Sequence, residues 1–289
     1  MKIASWNVNS IKARLPNVLR WLEEAQPDIV GLQELKCIDE AFPRAEIEAL
    51  GYNVETHGQK TYNGVALLSK LPLEDVSRGL PDFEDEQSRY IEAVVSTPKG
   101  AALRVASLYL PNGNPTGDDG QSRSSSEAVA RHNTRSTSEA VAQTLSPKYT
   151  YKLAWMAALE KHAQTLLGYE EAFILSGDYN VIPTPEDCYN PASWEGDALY
   201  RPETHAAFRR IVNLGLTEAV ASSAQTGDDT YTFWDYQAGA WPKNNGIRID
   251  HHLMSPLAAD MLVGFDIDRH TRDWEKPSDH VPVVIEVNA

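Results

Sequence analysis

Short apolar runs rich in β-branched residues recur along the chain at 3–6, 28–32, 64–68, 90–95, 103–108, 172–175, 247–254 and 281–287. Each has the length and composition of a strand, and the last keeps that reading despite Pro282, because proline is tolerated near a strand start. Between the runs, Leu15, Val18, Leu19 and Leu22 repeat at helical spacing and stop before Pro27. Leu153, Met156, Leu159, His162 and Leu166 predict a second helix closing at Gly168, and Phe208, Ile211, Val212 and Leu214 a third closing at Gly215. Helices mixed with hairpin-like strand pairs favour a two-layered or four-layered α/β sandwich over a strict βαβ array. No linker divides the pattern, so a single domain is expected over residues 1–289.

One segment departs from this periodicity. From 115 to about 150 the chain is rich in Ser and Thr and repeats Ser-Glu-Ala-Val-Ala at 126–130 and 138–142. It offers little apolar surface to bury, which predicts a mobile surface insertion.

Composition narrows the class. A chain of 289 residues with 42% hydrophobic content can bury a core that needs no disulfide or structural metal. No apolar run approaches the length of a bilayer span, and the amino terminus lacks the layout of a signal peptide, so the cytoplasm is the expected location. Cys37 and Cys188 are too few and too far apart for a disulfide framework and read as structural thiols. The net charge of −15 argues against a protein that simply coats nucleic acid. A site built from carboxylates supplies part of that charge, however, and bound divalent cations would reverse its local field.

The candidate chemistry lies where the strands end. Asn7, Gln33 with Glu34, Tyr109, and Asp178 with Asn180 each follow an apolar run, and Asp279-His280 sits just before the last one. Asp250 lies within an apolar strand, where an unpaired carboxylate would be costly to bury, and His280 is its candidate partner. Any one of these could be a cap or a turn residue; together they predict a polar cluster at the mouth of a sheet. Oxygen ligands such as Glu34 select a hard cation, Mg²⁺ with Mn²⁺ as a substitute, and no CxxC or HExxH points to zinc. A hard cation beside a carboxylate-bonded histidine suits phosphodiester hydrolysis, with Asn7, Asn180 and Tyr109 as neutral donors to the transition state.

Seven motifs then resemble, in order, those of the exonuclease III family of apurinic/apyrimidinic endonucleases. They are Trp-Asn-Val-Asn-Ser at 6–10, Gly-Leu-Gln-Glu-Leu-Lys at 31–36, Tyr-Asn-Gly-Val-Ala-Leu-Leu-Ser at 62–69, Tyr-Leu-Pro-Asn-Gly at 109–113, Ser-Gly-Asp-Tyr-Asn-Val at 176–181, Gly-Ile-Arg-Ile-Asp at 246–250 and Lys-Pro-Ser-Asp-His at 276–280. The resemblance implies a four-layered α/β sandwich, two mixed β-sheets packed face to face and flanked by helices. It also implies a Mg²⁺-dependent DNA-repair enzyme that cuts 5′ to abasic sites, with 3′–5′ exonuclease and 3′-end-cleaning activity. The implied partner is double-stranded DNA with abasic sites or blocked 3′ ends, bound by a monomer with no role for a membrane.

By the same resemblance Glu34 is the main metal ligand, with Asn7 close by and Asp279 at the metal. Asp178 orients or deprotonates the attacking water, Asn180 and Tyr109 bind the scissile phosphate, and Asp250 orients His280. Whether Asp178 or His280 is the base stays open. Phe233, Trp234, Ile247 and Ile249 resemble an apolar pocket for an extruded abasic sugar, with core packing as the alternative for the two aromatics. Asn112 matches a DNA-backbone contact, and Arg89 is a weaker candidate for the same role. His251-His252 departs from the family pattern; neighbours on a strand face opposite ways, so packing is expected rather than a shared ion. Two other functions fit parts of the pattern: a related phosphoesterase acting on a lipid or inositol phosphate, and a non-enzymatic module that keeps the fold.

Overall fold

The computed structural model describes residues 1–117, 145–223 and 225–289. Two six-stranded mixed sheets pack face to face. In spatial order the first holds β11 (Leu262–Ile267), β12 (Val283–Val287), β1 (Lys2–Asn7), β2 (Ile29–Gln33), β4 (Val65–Ser69) and β3 (Asn53–His57). The second holds β5 (Glu74–Arg78), β6 (Tyr90–Ser96), β7 (Ala102–Tyr109), β8 (Ala172–Asp178), β10 (Asp250–Met254) and β9 (Thr217–Glu218). Only β1–β2 and β7–β8 pair in parallel; every other pairing between these strands is antiparallel.

Alternation along the strands builds the layers. Ile3, Ile29, Val65 and Leu67 of the first sheet meet Ile91, Ala93, Val105 and Ile174 of the second to form the inner core. Their sequence neighbours Ala4, Val30, Ala66 and Leu68 face the other way, against Val18, Trp21 and Leu22 of α1 (Ile11–Ala25). On the far side, Tyr90, Ala106, Leu108 and Leu175 pack under α3 (Pro147–Leu167) and α5 (Pro202–Val212). The period-two pattern therefore closes both inner faces while the helices cover the outer ones, giving the four layers expected. Among the described residues there are also three short α-helices, α2 (Arg44–Glu48), α4 (Pro191–Trp194) and α6 (Pro256–Ala259), and several 3-10 turns.

Two corrections to the sequence reading have physical causes. The strands β3, β5, β9 and β11 were not predicted; β3, β5, β9 and β11 are all sheet edges, where solvent permits polar sequences such as Glu-Asp-Val-Ser-Arg at β5. The run at 247–254 forms a strand only from Asp250, because Ile247 bridges instead to Cys188 and Phe233. The expected insertion at 115–150 lies outside the described residues over 118–144; on either side of these, Gly117 pairs with Leu145, and Ser146 caps α3 by accepting from Tyr149 N. Among the described residues no helix is long and apolar enough to cross a membrane.

Candidate active site

The topology brings the predicted cluster to one end of the sandwich. The parallel pairs place the last residues of β1, β2, β7 and β8 on a common rim, delivering Asn7, Gln33, Tyr109 and Asp178 there. Strand β10 runs antiparallel to β8, so its first residue, Asp250, stands directly opposite Asp178. Strand β12 runs antiparallel to β1 and begins just after His280. Glu34 and Asn180, the residues that leave the rim after β2 and after Asp178, take left-handed backbone angles (φ 53° and 48°) that turn the chain across the mouth.

At the centre His280 lies between two carboxylates. Its Nδ1 is 2.8 Å from Asp250 Oδ2 and its Nε2 is 3.6 Å from Asp178 Oδ2. Burial opposes charge on the ring, but Asp250 and then Asp178 outweigh it and raise the imidazole to about 10. Burial likewise pushes the Asp178 carboxyl up to about 7, with His280 pulling down and Asp250 pushing up. Asp178 Oδ1 accepts from the backbone N–H of Asn180 at 2.9 Å. Thr232 Oγ1 donates to Asp250 Oδ2 at 2.6 Å, and Asp250 Oδ1 has no donor among the described residues.

The Asn7 amide joins this centre to Glu34. Its Nδ2 donates at 2.9 Å both to Glu34 Oε1 and to Asp178 Oδ2, while its Oδ1 accepts from Asn9 N at 3.0 Å. Two carboxylate oxygens on one side fix which end of the amide faces them, since only the nitrogen can donate. Asn7 thus stands as a donor between two carboxylates, close by Glu34. Asp279 Oδ1 accepts from Asn9 Nδ2 at 3.1 Å and from Ser278 Oγ at 3.4 Å. The residues present fit a hard cation at Glu34. Its Oε2 already takes a cationic partner, the Lys36 ammonium at 2.8 Å, and Lys36 and Asn7 hold the carboxyl below its usual range although burial opposes this.

The remaining candidates divide. Tyr109, Asn180 and Asn112 come together: Asn180 Nδ2 donates to Leu110 O at 2.9 Å, and Asn112 Nδ2 donates to Asn180 Oδ1 at 3.0 Å. Burial, then the Glu34 and Asp178 carboxylates, keep the Tyr109 phenol well above its ordinary value, so it stays protonated. Arg89 lies over the Tyr109 ring at 4.9 Å and donates to Tyr109 O at 3.1 Å. Phe233 meets the His280 ring edge-on at 4.9 Å and packs beside Ile247 and Ile249. Trp234 does not join them. It is fully buried in a separate cluster against Trp241 and Arg269, because adjacent residues in extended chain point to opposite sides. The same alternation separates the two histidines: His251 bonds Glu218 and Val181 O, while His252, which burial lowers to about 4, bonds Ser176 and Val283 O.

Sequence reasoning missed Thr232, Asn9 and Lys36 as partners of the cluster. Lys36 and Asn9 stand inside motifs already singled out, at 31–36 and 6–10, which was the available signal.

Comparison with known proteins agrees with this geometry. A family model described as the Endonuclease/Exonuclease/phosphatase family matches residues 4–280. Exodeoxyribonuclease III of Haemophilus influenzae is 34% identical over 98% of this chain and 98% of its own. The structure of 3′ phosphatase NExo from Neisseria bound to product DNA hairpin is 35% identical with a TM-score of 0.85, and an AP endonuclease from Archaeoglobus fulgidus is 32% identical with a TM-score of 0.83; both comparisons cover 100% of each chain. With its rim of carboxylates, amides and one doubly flanked histidine matched along nearly its whole length, the chain belongs to the endonuclease/exonuclease/phosphatase family.

Proposed function

We propose that this protein is a Mg²⁺-dependent DNA-repair nuclease that cuts the phosphodiester bond 5′ to an abasic site and removes blocking groups from 3′ ends. The observation that carries this reading is the pair of carboxylates flanking His280, joined through Asn7 to the cation-facing Glu34. Double-stranded DNA is the substrate, bound by a monomer in the cytoplasm, where the buried thiols of Cys37 and Cys188 remain free.

The chain's own groups divide the work. Asp178, a carboxyl poised near neutrality, accepts the proton of a water aligned for in-line attack on phosphorus. As the new P–O bond forms, the P–O3′ bond breaks and the 3′ oxygen leaves, to be protonated as a hydroxyl. His280, held as an imidazolium by Asp250, donates from Nε2 to a non-bridging oxygen and offsets the charge that grows there. The protonated phenol of Tyr109 and the second amide hydrogen of Asn180 donate to the same phosphate. Glu34 would hold a divalent cation, which would supply further positive charge to offset that of the reacting phosphate. Phe233, Ile247 and Ile249 offer an apolar wall for a sugar without its base.

The test uses two duplexes, one with a single tetrahydrofuran site and one with a recessed 3′-phosphate, each with Mg²⁺ and with excess chelator. Cleavage 5′ to the site and loss of the 3′-phosphate, both abolished by the chelator, are expected. Failure to process either duplex with Mg²⁺ would overturn the reading.

A further inference from the structure

Among the buried charged side chains that the mechanism does not use, Lys152 lies nearest in its bonding to the phosphate-binding loops. Lys152, in α3, is fully buried, yet no carboxylate is hydrogen-bonded to it among the described residues. Its ammonium donates instead to two backbone carbonyls, Asn180 O at 2.6 Å and Asn112 O at 3.1 Å. Burying an ammonium without a carboxylate partner costs several kcal/mol unless hydrogen bonds offset it. Burial lowers Lys152 to about 7 against the pull of Asp197 and Asp178, the charged groups that act on it.

The two carbonyls accept those bonds. One belongs to the residue whose amide faces the phosphate site, in the chain leaving β8. The other belongs to the loop leaving β7, three residues beyond Tyr109. These segments also meet through Leu110, whose N–H donates to Asp178 O at 2.8 Å and whose carbonyl accepts from Asn180 Nδ2. The loop is shaped to lie on the lysine. Gly113 takes a φ of 91°, and a Cβ there would stand 2.7 Å from Lys152 Cδ, closer than atoms pack. A side chain at this position would lift the loop from the lysine stem.

We infer that Lys152 is a positioning residue that clamps the loop after β7 to the turn after β8 from below, so that Tyr109, Asn112 and Asn180 converge on one phosphate. The inference rests on the phosphodiesterase reading for its consequence in rate. Its structural content, a clamp between two loops, does not. Displacing donors by a fraction of a bond length is enough to slow positioned chemistry severely.

Three variants test it: Lys152→Met, which keeps the volume and removes the donors; Lys152→Gln, which restores uncharged donors; and Gly113→Ala, which keeps the ammonium and crowds it. Each is measured for kcat and KM on the tetrahydrofuran duplex well below its melting temperature. The side-chain amide signals of Asn112 and Asn180 are followed by NMR without DNA, with Asn288 as the remote reference. Lys152→Met is expected to lower kcat by about tenfold or more and to shift both amide signals but not that of Asn288, with Lys152→Gln recovering part of each. Should Lys152→Met not fold, Lys152→Gln carries the same two expectations in smaller size. Folded variants with wild-type kcat and unmoved Asn112 and Asn180 signals overturn the clamp. A wild-type protein that cuts no DNA, together with shifted amide signals in the variants, overturns the functional reading alone.

Discussion

Asp250 accepts from His280 and from Thr232 through the same oxygen, Oδ2, at 2.8 and 2.6 Å, so the carboxylate fixes the ring while being fixed itself. Among the described residues these two side chains are the donors to the Asp250 carboxylate, so the hydrogen-bonded part of its influence on phosphate chemistry runs through the histidine. Asp250→Asn and His280→Asn should each reduce kcat strongly, and the double variant should cost far less than the sum of the two in free energy. A double-mutant cycle on the abasic duplex measures this; additive losses would mean that the two residues act independently.

Glu34 is the group on which metal dependence turns. Its side chain is 18% exposed and its pairing with Lys36 is partly solvated, so its removal should change stability by no more than about 1 kcal/mol. Glu34→Ala is therefore expected to keep its melting temperature while losing most Mg²⁺-dependent cleavage and needing more Mg²⁺ for what remains. A variant with full activity at low Mg²⁺ would remove Glu34 from the metal site.

The two adjacent aromatics should separate cleanly. Trp234 is core, and Trp234→Ala should lose about 3–5 kcal/mol in denaturant unfolding. Phe233, partly open beside His280, should tolerate Phe233→Ala with a smaller loss of stability and a larger loss of preference for the abasic over the intact duplex. Equal unfolding losses in the two variants would contradict their different placement.

Acid should unfold the protein partly through Glu218. Burial opposes its charge, but His251 and then Arg248 overcome this and hold the carboxyl at about 2, below the ordinary 4.5. Because the folded value is the lower one, the stabilisation is complete above about pH 4.5 and is lost as pH falls through about 2. Its size is on the order of 3 kcal/mol. Urea unfolding of wild type and Glu218→Gln should differ at neutral pH, with the gap narrowing below about pH 4.5 and closing as pH falls through about 2; a gap independent of pH would show that this carboxylate carries no such linkage.

The insertion can be removed only at the right joint. Leu145 packs beside Tyr149 and Ile249, and Ser146 caps α3, so a deletion running past them would cost the cap alone about 1 kcal/mol. Joining Gly117 to Leu145, which already pair, through a short Gly-Ser linker should leave the melting temperature and saturated turnover near wild type. The affinity for DNA and its salt dependence are expected to change. Collapse of saturated turnover in the folded deletion variant would mean that the removed segment supplies a catalytic group.

Local pattern alone determined the inner strands and the long helices, because a buried two-sided strand must be apolar and a covering helix must repeat its apolar face. The polar residues interrupting that pattern, such as Asp178, Asp250 and His280, were legible for the same reason: charge at the end of a buried run is expensive unless it has a partner. The polar edge strands β3 and β5 were not legible, since an exposed edge places little demand on sequence. Nor were the partnerships, apart from that of Asp250 with His280. That Asp178 stands opposite Asp250, that Asn7 turns its nitrogen between two carboxylates, and that Trp234 faces away from Phe233 follow from register and from the side of the chain each residue occupies. Lys152 is the clearest case. In sequence it is an ordinary cation in a helix, and only the packing of α3 beneath two loops makes it a buried ammonium held by Asn112 and Asn180.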